Sequence, residues 1–155
     1  EFDLKIDLLQ PMYSLVKRQA EVEILPMAAH HGITVASYSP LGGGLLSGKY
    51  RAGEQGRLTE DDRYAARYGT QWMHDAAIQL DDISRDMGIH SATLAAAWVA
   101  RHDTGPVPIL SARTADQLVP SLEAMRFEMD DDLYTRLTAL TPTPPPATDR
   151  LEEHA

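Results

Sequence analysis

Cysteine is absent from the 155 residues, which excludes a disulfide frame, a thiolate metal site and a cysteine nucleophile. Positive charge is scarce: 14 Lys and Arg stand against 23 Asp and Glu, a formal net charge of -9. That balance argues against non-specific nucleic-acid binding and against docking on an acidic membrane. Any anionic ligand has to be met by locally placed cations and backbone N–H groups. No apolar stretch is long enough to span a bilayer, and the start of the chain carries no signal-peptide pattern. The histidines show no His-Glu-x-x-His or comparable spacing, so no metal is expected. What remains is the composition of an ordinary soluble globular domain, 43% hydrophobic and 24% charged, with length for one sizeable core. A cytoplasmic protein is the default expectation.

Strand and helix signals alternate along the chain. Lys5 to Tyr13 reads as a strand ending near Gln10-Pro11, since proline cannot donate to a ladder. Glu21 to His31 reads as a helix stopped by Gly32, and Thr34 to Ser39 as a second strand. Arg51 to Thr70 is polar and reads as an irregular excursion. Thr70 is placed to cap a helix running to Met87, with Ala76, Leu80, Ile83 and Met87 on one face. Ser91 is placed to cap another, through Leu94, Trp98 and Val99 to His102. Pro106 to Ser111 reads as a third strand. Thr114 and Gln117 form a capping box for a helix through Met125, with Pro120 a point of breakage or bending. Asp130 opens a last helix with Leu133, Leu137 and Leu140 on its buried stripe, and from 141 to 155 the chain is a proline-rich tail, disordered or laid along the surface. Strands alternating with helices imply an α/β fold with parallel pairing.

The densest chemical signal runs from Gly32 to Tyr50. A short apolar strand breaks into Tyr38-Ser39-Pro40-Leu41, followed by Gly42-Gly43-Gly44 and Gly48-Lys49. A strand opening into glycines lets backbone approach a phosphate closely, and an aromatic at its end offers a face for stacking on a planar ring. A second signal is Ser111-Ala112-Arg113-Thr114-Ala115-Asp116-Gln117, where a strand feeds directly into a helix N-terminus that favours an anion.

These strings resemble the aldo-keto reductase family, from Lys5 to Leu140, over strands six, seven and eight of its barrel with their helices. The resemblance implies a partial (β/α)8 TIM barrel, the C-terminal half, with about three parallel strands and surrounding helices. It is part of a fold that needs roughly 250 residues. Residues 1–140 are then the half-barrel. The implied cofactor is NADP(H), and each candidate contact also has an ordinary alternative. Gln10, followed by the family's Tyr-x-x-x-x-Arg-x-x-Glu arrangement (Tyr13, Arg18, Glu21), would bond the nicotinamide carboxamide; otherwise it only ends a strand. Tyr38 would lie against the nicotinamide, or be a core tyrosine. Ser39, Leu41 and Gly43 would contact the diphosphate, with Lys49 a mobile charge or a solvated lysine. Ser111 lies in the second turn, where Arg113 would take the 2′-phosphate and Gln117 would reach adenine. Their alternatives are a surface salt bridge and a capping-box partner. Arg57 and Arg63 would clamp phosphate or stay solvated. The family usually has glycine in place of Ser111 and an acidic-Asn pair in place of Pro120-Ser121, which implies a differently built adenine site.

The family's proton-transfer set of tyrosine, lysine, aspartate and histidine comes from the first half of the barrel, and no motif of this chain matches it, so no catalytic residue is assigned. The chain opens at Glu1-Phe2-Asp3 without methionine, which fits a fragment, a processed product or a trimmed piece. The expected function is the NADP(H)-binding half of an aldo-keto reductase acting on a small carbonyl substrate, inactive alone and completed by the missing N-terminal half. The alternatives are a non-catalytic NADP(H)-binding regulatory module and a truncated remnant. Alone, the chain is expected to expose Leu8, Val35 and Ile109 and to self-associate.

Overall fold

In the computed structural model, which describes residues 5–51 and 53–146, three short parallel strands lie side by side in the order β1-β2-β3. They are β1 (Leu8–Leu9), β2 (Thr34–Ser37) and β3 (Val107–Pro108). Leu8 stands beside Thr34 and Leu9 beside Val35, then Ala36 beside Val107 and Ser37 beside Pro108. Side chains alternate along a strand, so this register sorts them onto two faces. Val35, Ser37 and Pro108 are buried towards the helices. Leu8 and Val107 point the other way and are 53% and 54% exposed. Tyr38 and Ile109 continue that open face. Val35 was expected to be exposed; at 5% it is core, because its parity puts it on the helix-packed side.

Helix α1 (Ile24–His31) follows a short 3₁₀ turn (Gln19–Glu21) and ends at Gly32, whose φ of 63° is the left-handed conformation that closes a helix. The excursion after Arg51 is not irregular. It folds into a single turn, α2 (Arg57–Glu60), and α3 (Asp62–Tyr68), started by the Asp61 carboxylate accepting from the Arg63 N–H at 2.9 Å. Between them Tyr68 is the one buried residue, so no apolar stripe announced either helix. α4 (Gln71–Met87) buries Met73, Ala76, Leu80 and Ile83. Met87, expected on that stripe, is exposed, and the Thr70 hydroxyl makes no capping bond although Thr70 holds the cap position.

α5 (Ser91–Arg101) is capped by His90, not Ser91: His90 Nδ1 accepts from the Ala92 N–H at 3.0 Å. α6 (Ala115–Glu123) starts where Thr114 Oγ1 accepts from the Gln117 N–H at 3.3 Å, and it runs through Pro120 without interruption. α7 (Asp131–Thr138) starts where Asp130 accepts from the Leu133 N–H at 2.8 Å. Leu137 is fully buried, with Leu133 and Leu140 half-buried beside it. No helix among the described residues is long and apolar enough to cross a membrane.

The core centres on α5, where every residue from Ser91 to Val99 is buried. Four buried alanines on this helix, Ala92, Ala95, Ala96 and Ala97, let its neighbours approach closely. Trp98 packs between Tyr13 and Tyr134, with ring centroids 5.3 and 5.8 Å away, and its indole N–H donates to Thr138 Oγ1 at 2.9 Å. Behind it, Arg18 forks onto Glu21 through two bonds of 2.9 Å and reaches the Thr138 carbonyl and Thr141 Oγ1 at 3.2 and 3.1 Å. The Tyr13 hydroxyl donates to the same Glu21 at 2.8 Å. Burial pushes its pKa far up, and Glu21 adds to that. Gln19 also donates to the Pro145 carbonyl at 3.2 Å, so residues 141–146 lie along the surface; the tail from 147 on is outside the described residues.

Candidate functional site

A cleft of about 880 Å³ opens where the chain leaves β2 and β3. The β2 side is fixed by backbone: the Tyr38 N–H donates to the Pro11 carbonyl at 3.0 Å, and the Tyr38 carbonyl accepts from the Tyr13 N–H at 3.2 Å. The Tyr38 ring is therefore free to line the cleft, 38% exposed. It is not a core tyrosine; Tyr13 fills that role.

Ser39 follows with φ 58°, the one non-glycine among the described residues in the left-handed region. Such a conformation is strained for a side-chain-bearing residue and clusters at functional sites. The glycine string then winds into 3₁₀ turns over Gly42–Ser47, anchored by buried Leu45 and Leu46. At Gly43 (φ 66°) a Cβ would stand 2.8 Å from the Tyr64 ring, and at Gly48 (φ 77°) 2.7 Å from Asp81 Oδ1. Only glycine satisfies both the dihedral and the space at these two positions.

The opposite wall begins where the Ile109 N–H donates to the Ser37 carbonyl at 2.8 Å. It continues through Ser111, Ala112 and Arg113 into the first turn of α6, where Asp116 and Gln117 line the cleft. The floor comes from α4 and the start of α5. Buried Asp81 accepts from Ser91 Oγ at 2.9 Å and pairs with Arg85 at 2.9 Å and Arg51 at 3.2 Å; Ser84 Oγ lies 3.0 Å from Ser91 Oγ. The α2–α3 segment forms the outer rim, with Lys49, Arg57 and Tyr64 facing in. The Arg57 guanidinium lies 5.5 Å from the Tyr64 ring centre, and Lys49 Nζ 4.8 Å from that of Tyr50. Neither cation has a carboxylate partner among the described residues. Arg113 does: its Nη2 donates to Glu60 Oε2 at 2.8 Å, and that bond raises its pKa further.

Eight sequence-derived candidates thus line one cleft: Tyr38, Ser39, Leu41, Gly43, Lys49, Ser111, Arg113 and Gln117. Gln10 does not. It is exposed at the end of β1, outside the lining. Arg57 lines the cleft, but Arg63 turns to Asp61 at 2.9 Å. Arg113 occupies the surface salt bridge that was its alternative, and the Gln117 backbone takes part in the Thr114 cap. Sequence reasoning missed Asp81, Ser84, His90 and Ser91. The available signal was a pair of polar residues, Asp81 and Ser84, set beside Leu80 and Ile83 on the buried side of α4.

The three-stranded parallel sheet backed by helices is consistent with what known proteins of similar sequence indicate. The sequence pattern of the aldo/keto reductase family fits residues 1–142. The chain belongs to the aldo/keto reductase family. It is 33% identical over 136 residues to the uncharacterized oxidoreductase YrpG of Bacillus subtilis, covering 87% of this chain and 40% of that protein. With protein tas of Escherichia coli it shares 32% identity over 139 residues, 88% of this chain and 40% of the relative. A probable voltage-gated potassium channel subunit beta of Arabidopsis thaliana is 29% identical over 125 residues, 75% of this chain and 37% of the relative. The chain therefore spans about 40% of the length of the first two relatives. The three-stranded parallel sheet is consistent with part of the barrel that membership of this family implies.

Proposed function

We propose that this chain forms the NADP(H)-binding half of an aldo-keto reductase barrel whose parent reaction passes hydride between NADPH and an aldehyde or ketone. The observation that carries this reading is the convergence of eight candidate residues from two chain segments on one cleft. The donor chemistry fits a dinucleotide. Gly43, Gly44 and Gly48 line the cleft, and Lys49 and Arg57 add charge without carboxylate partners among the described residues. Tyr38 offers an aromatic face at the inner end, and Arg113 and Gln117 stand at the outer end, where a 2′-phosphate and adenine would rest. Gln10, exposed at the end of β1 and outside the cleft lining, carries no part of this reading.

When bound, NADPH supplies the hydride that reduces the carbonyl. This chain's own residues bind and orient: Tyr38 fixes the ring plane, the glycine turns and Ser39 fix the diphosphate, and Arg113 selects the phosphorylated ribose. No proton-transfer role is assigned to Tyr13, whose hydroxyl is buried and committed to Glu21. The general acid and its supporting lysine, aspartate and histidine would come from the rest of the barrel. The open sheet face, with Leu8, Val107 and Ile109 exposed, would pack against that missing half. Without it, unpaired edges at β1 and β3 favour self-association.

The test is calorimetric titration of the chain with NADPH and NADH. NADPH should bind more tightly, and Arg113→Ala should erase most of the difference, a loss of roughly ten- to a hundredfold for a charge-assisted contact. Equal loss for both cofactors would show that Arg113 supports the fold instead. A second reading, an NADP(H)-holding module without turnover, draws on the likeness to the potassium-channel beta subunit. Co-expression with the remainder of the barrel separates the two. Consumption of NADPH on adding an aldehyde supports the enzyme, and binding without consumption supports the module.

A further inference from the structure

We infer that Glu60 is a specificity-determining residue, a built-in carboxylate competitor for the Arg113 guanidinium that reduces the preference for a 2′-phosphorylated dinucleotide. The inference rests on the cofactor reading above. Glu60 ends α2 on the rim segment, while Arg113 lies at the entry to α6, 53 residues further along the chain. Their bond ties the rim segment to the wall that carries Arg113. Two features make it exchangeable. Arg113 is engaged through Nη2 alone, at 2.8 Å, so the two-pronged geometry in which a guanidinium binds an oxyanion is unused. Both side chains are also well exposed, at 64% and 46%, which places the pair among ion pairs of small net stability.

The rim is held by more than this bond. At its base Arg51 pairs with Asp81 and Asp82, and the Tyr50 hydroxyl accepts from the Leu58 N–H at 3.1 Å. Breaking the Glu60 contact therefore frees Arg113 while the rim stays attached to α4. A nucleotide carrying a 2′-phosphate has to displace Glu60. One without it leaves the Glu60–Arg113 bond intact and meets no competitor. Glu60 consequently acts against one class of ligand only.

The experiment is isothermal titration of the full chain with adenosine 2′,5′-bisphosphate and with adenosine 5′-monophosphate, which differ only in the 2′-phosphate. Affinities are counted per chain, so self-association does not enter. Glu60→Gln keeps the size of the side chain and removes its charge at an exposed position. It should tighten the bisphosphate by about two- to fivefold, the range of an exposed ion pair, and leave the monophosphate unchanged. In an Arg113→Ala background the same substitution should have no effect, which makes the coupling direct. An unchanged bisphosphate affinity in Glu60→Gln, or an equal gain for both ligands, overturns the inference while leaving the nucleotide site standing. If the unsubstituted chain does not prefer the bisphosphate, or Arg113→Ala leaves a preference intact, the cofactor reading itself fails at this position.

Discussion

Two arginines, Arg18 and Arg113, divide the molecule into a region that holds itself together and a region left open to a ligand. Arg18 is largely buried, forks onto Glu21 and also donates to Thr138 and Thr141, so its hydrogen-bonding capacity is mostly spent inside the protein. Arg113 is exposed and has one carboxylate, held through one nitrogen. The same contrast holds for tyrosines: the Tyr13 hydroxyl is committed to Glu21, whereas Tyr38 turns its ring to the cleft. A residue type therefore predicts little by itself. The fraction of its bonding capacity already used separates a structural part from one free to bind.

The largest expected effect comes from breaking the closed region. Glu21→Ala leaves a largely buried guanidinium unpaired and a buried phenol without its acceptor, and should cost about 3–5 kcal/mol in urea unfolding, the range for orphaning one partner of a buried pair. A loss close to zero would mean that water replaces the carboxylate and that the network is not what ties 18–21 to 138–141. Next comes Gly43→Ala, on the open side. The left-handed backbone alone should cost about 1–2 kcal/mol, and the Tyr64 ring must also move. Nucleotide affinity should fall with it, and unfolding coupled to titration reads both.

A smaller effect concerns pH. Burial holds the His102 imidazole below the ordinary histidine range, and its Nδ1 accepts from the Thr104 N–H at 3.2 Å, which requires that nitrogen unprotonated. The unfolded chain then takes up this proton before the folded one does. The stability from His102 is fully present above the unfolded value, about pH 6.5, and is lost as pH falls towards the depressed folded value. His102→Gln should flatten the acid limb of the stability curve from about pH 6.5 downward; an unchanged slope would assign that limb to other groups. Smallest of all, Arg113→Ala should leave the unfolding midpoint where it is, because an exposed arginine with one exchangeable bond supports no packing. A clear drop in that midpoint would erase the distinction between the two regions.

Much of the scaffold was legible because it obeys local rules. Gly32 and Gly88 end helices in left-handed conformations, and Thr114 and Asp130 start them with side-chain caps, each a short-range event written in a few adjacent residues. The glycine string and the turn before α6 announced the cleft for the same reason. What stayed hidden depends on partners far along the chain. α2 and α3 cover the cleft without burying a stripe, so periodicity had nothing to report. Val35 is core through the parity of its strand, which the sequence of an apolar run does not reveal. Asp81 reaches the cleft only because Arg51, Arg85 and Ser91 meet it there. Ser91 looked like a cap, yet its hydroxyl serves Asp81 and the capping passes to His90.

Helix α5, enclosed on all sides by other elements, also fixes a timescale. Its interior amide hydrogens have no shallow route to solvent, so they should exchange for deuterium only when the whole domain opens. The amides of α2 and α3, with Tyr68 their one buried residue, need only a local excursion to do so. The cleft is floored by the start of the helix expected to exchange slowest and rimmed by the segment expected to exchange fastest. A ligand bridging the two would link a clock that runs with global unfolding to one that runs with loop motion, and would slow the second while leaving the first almost untouched.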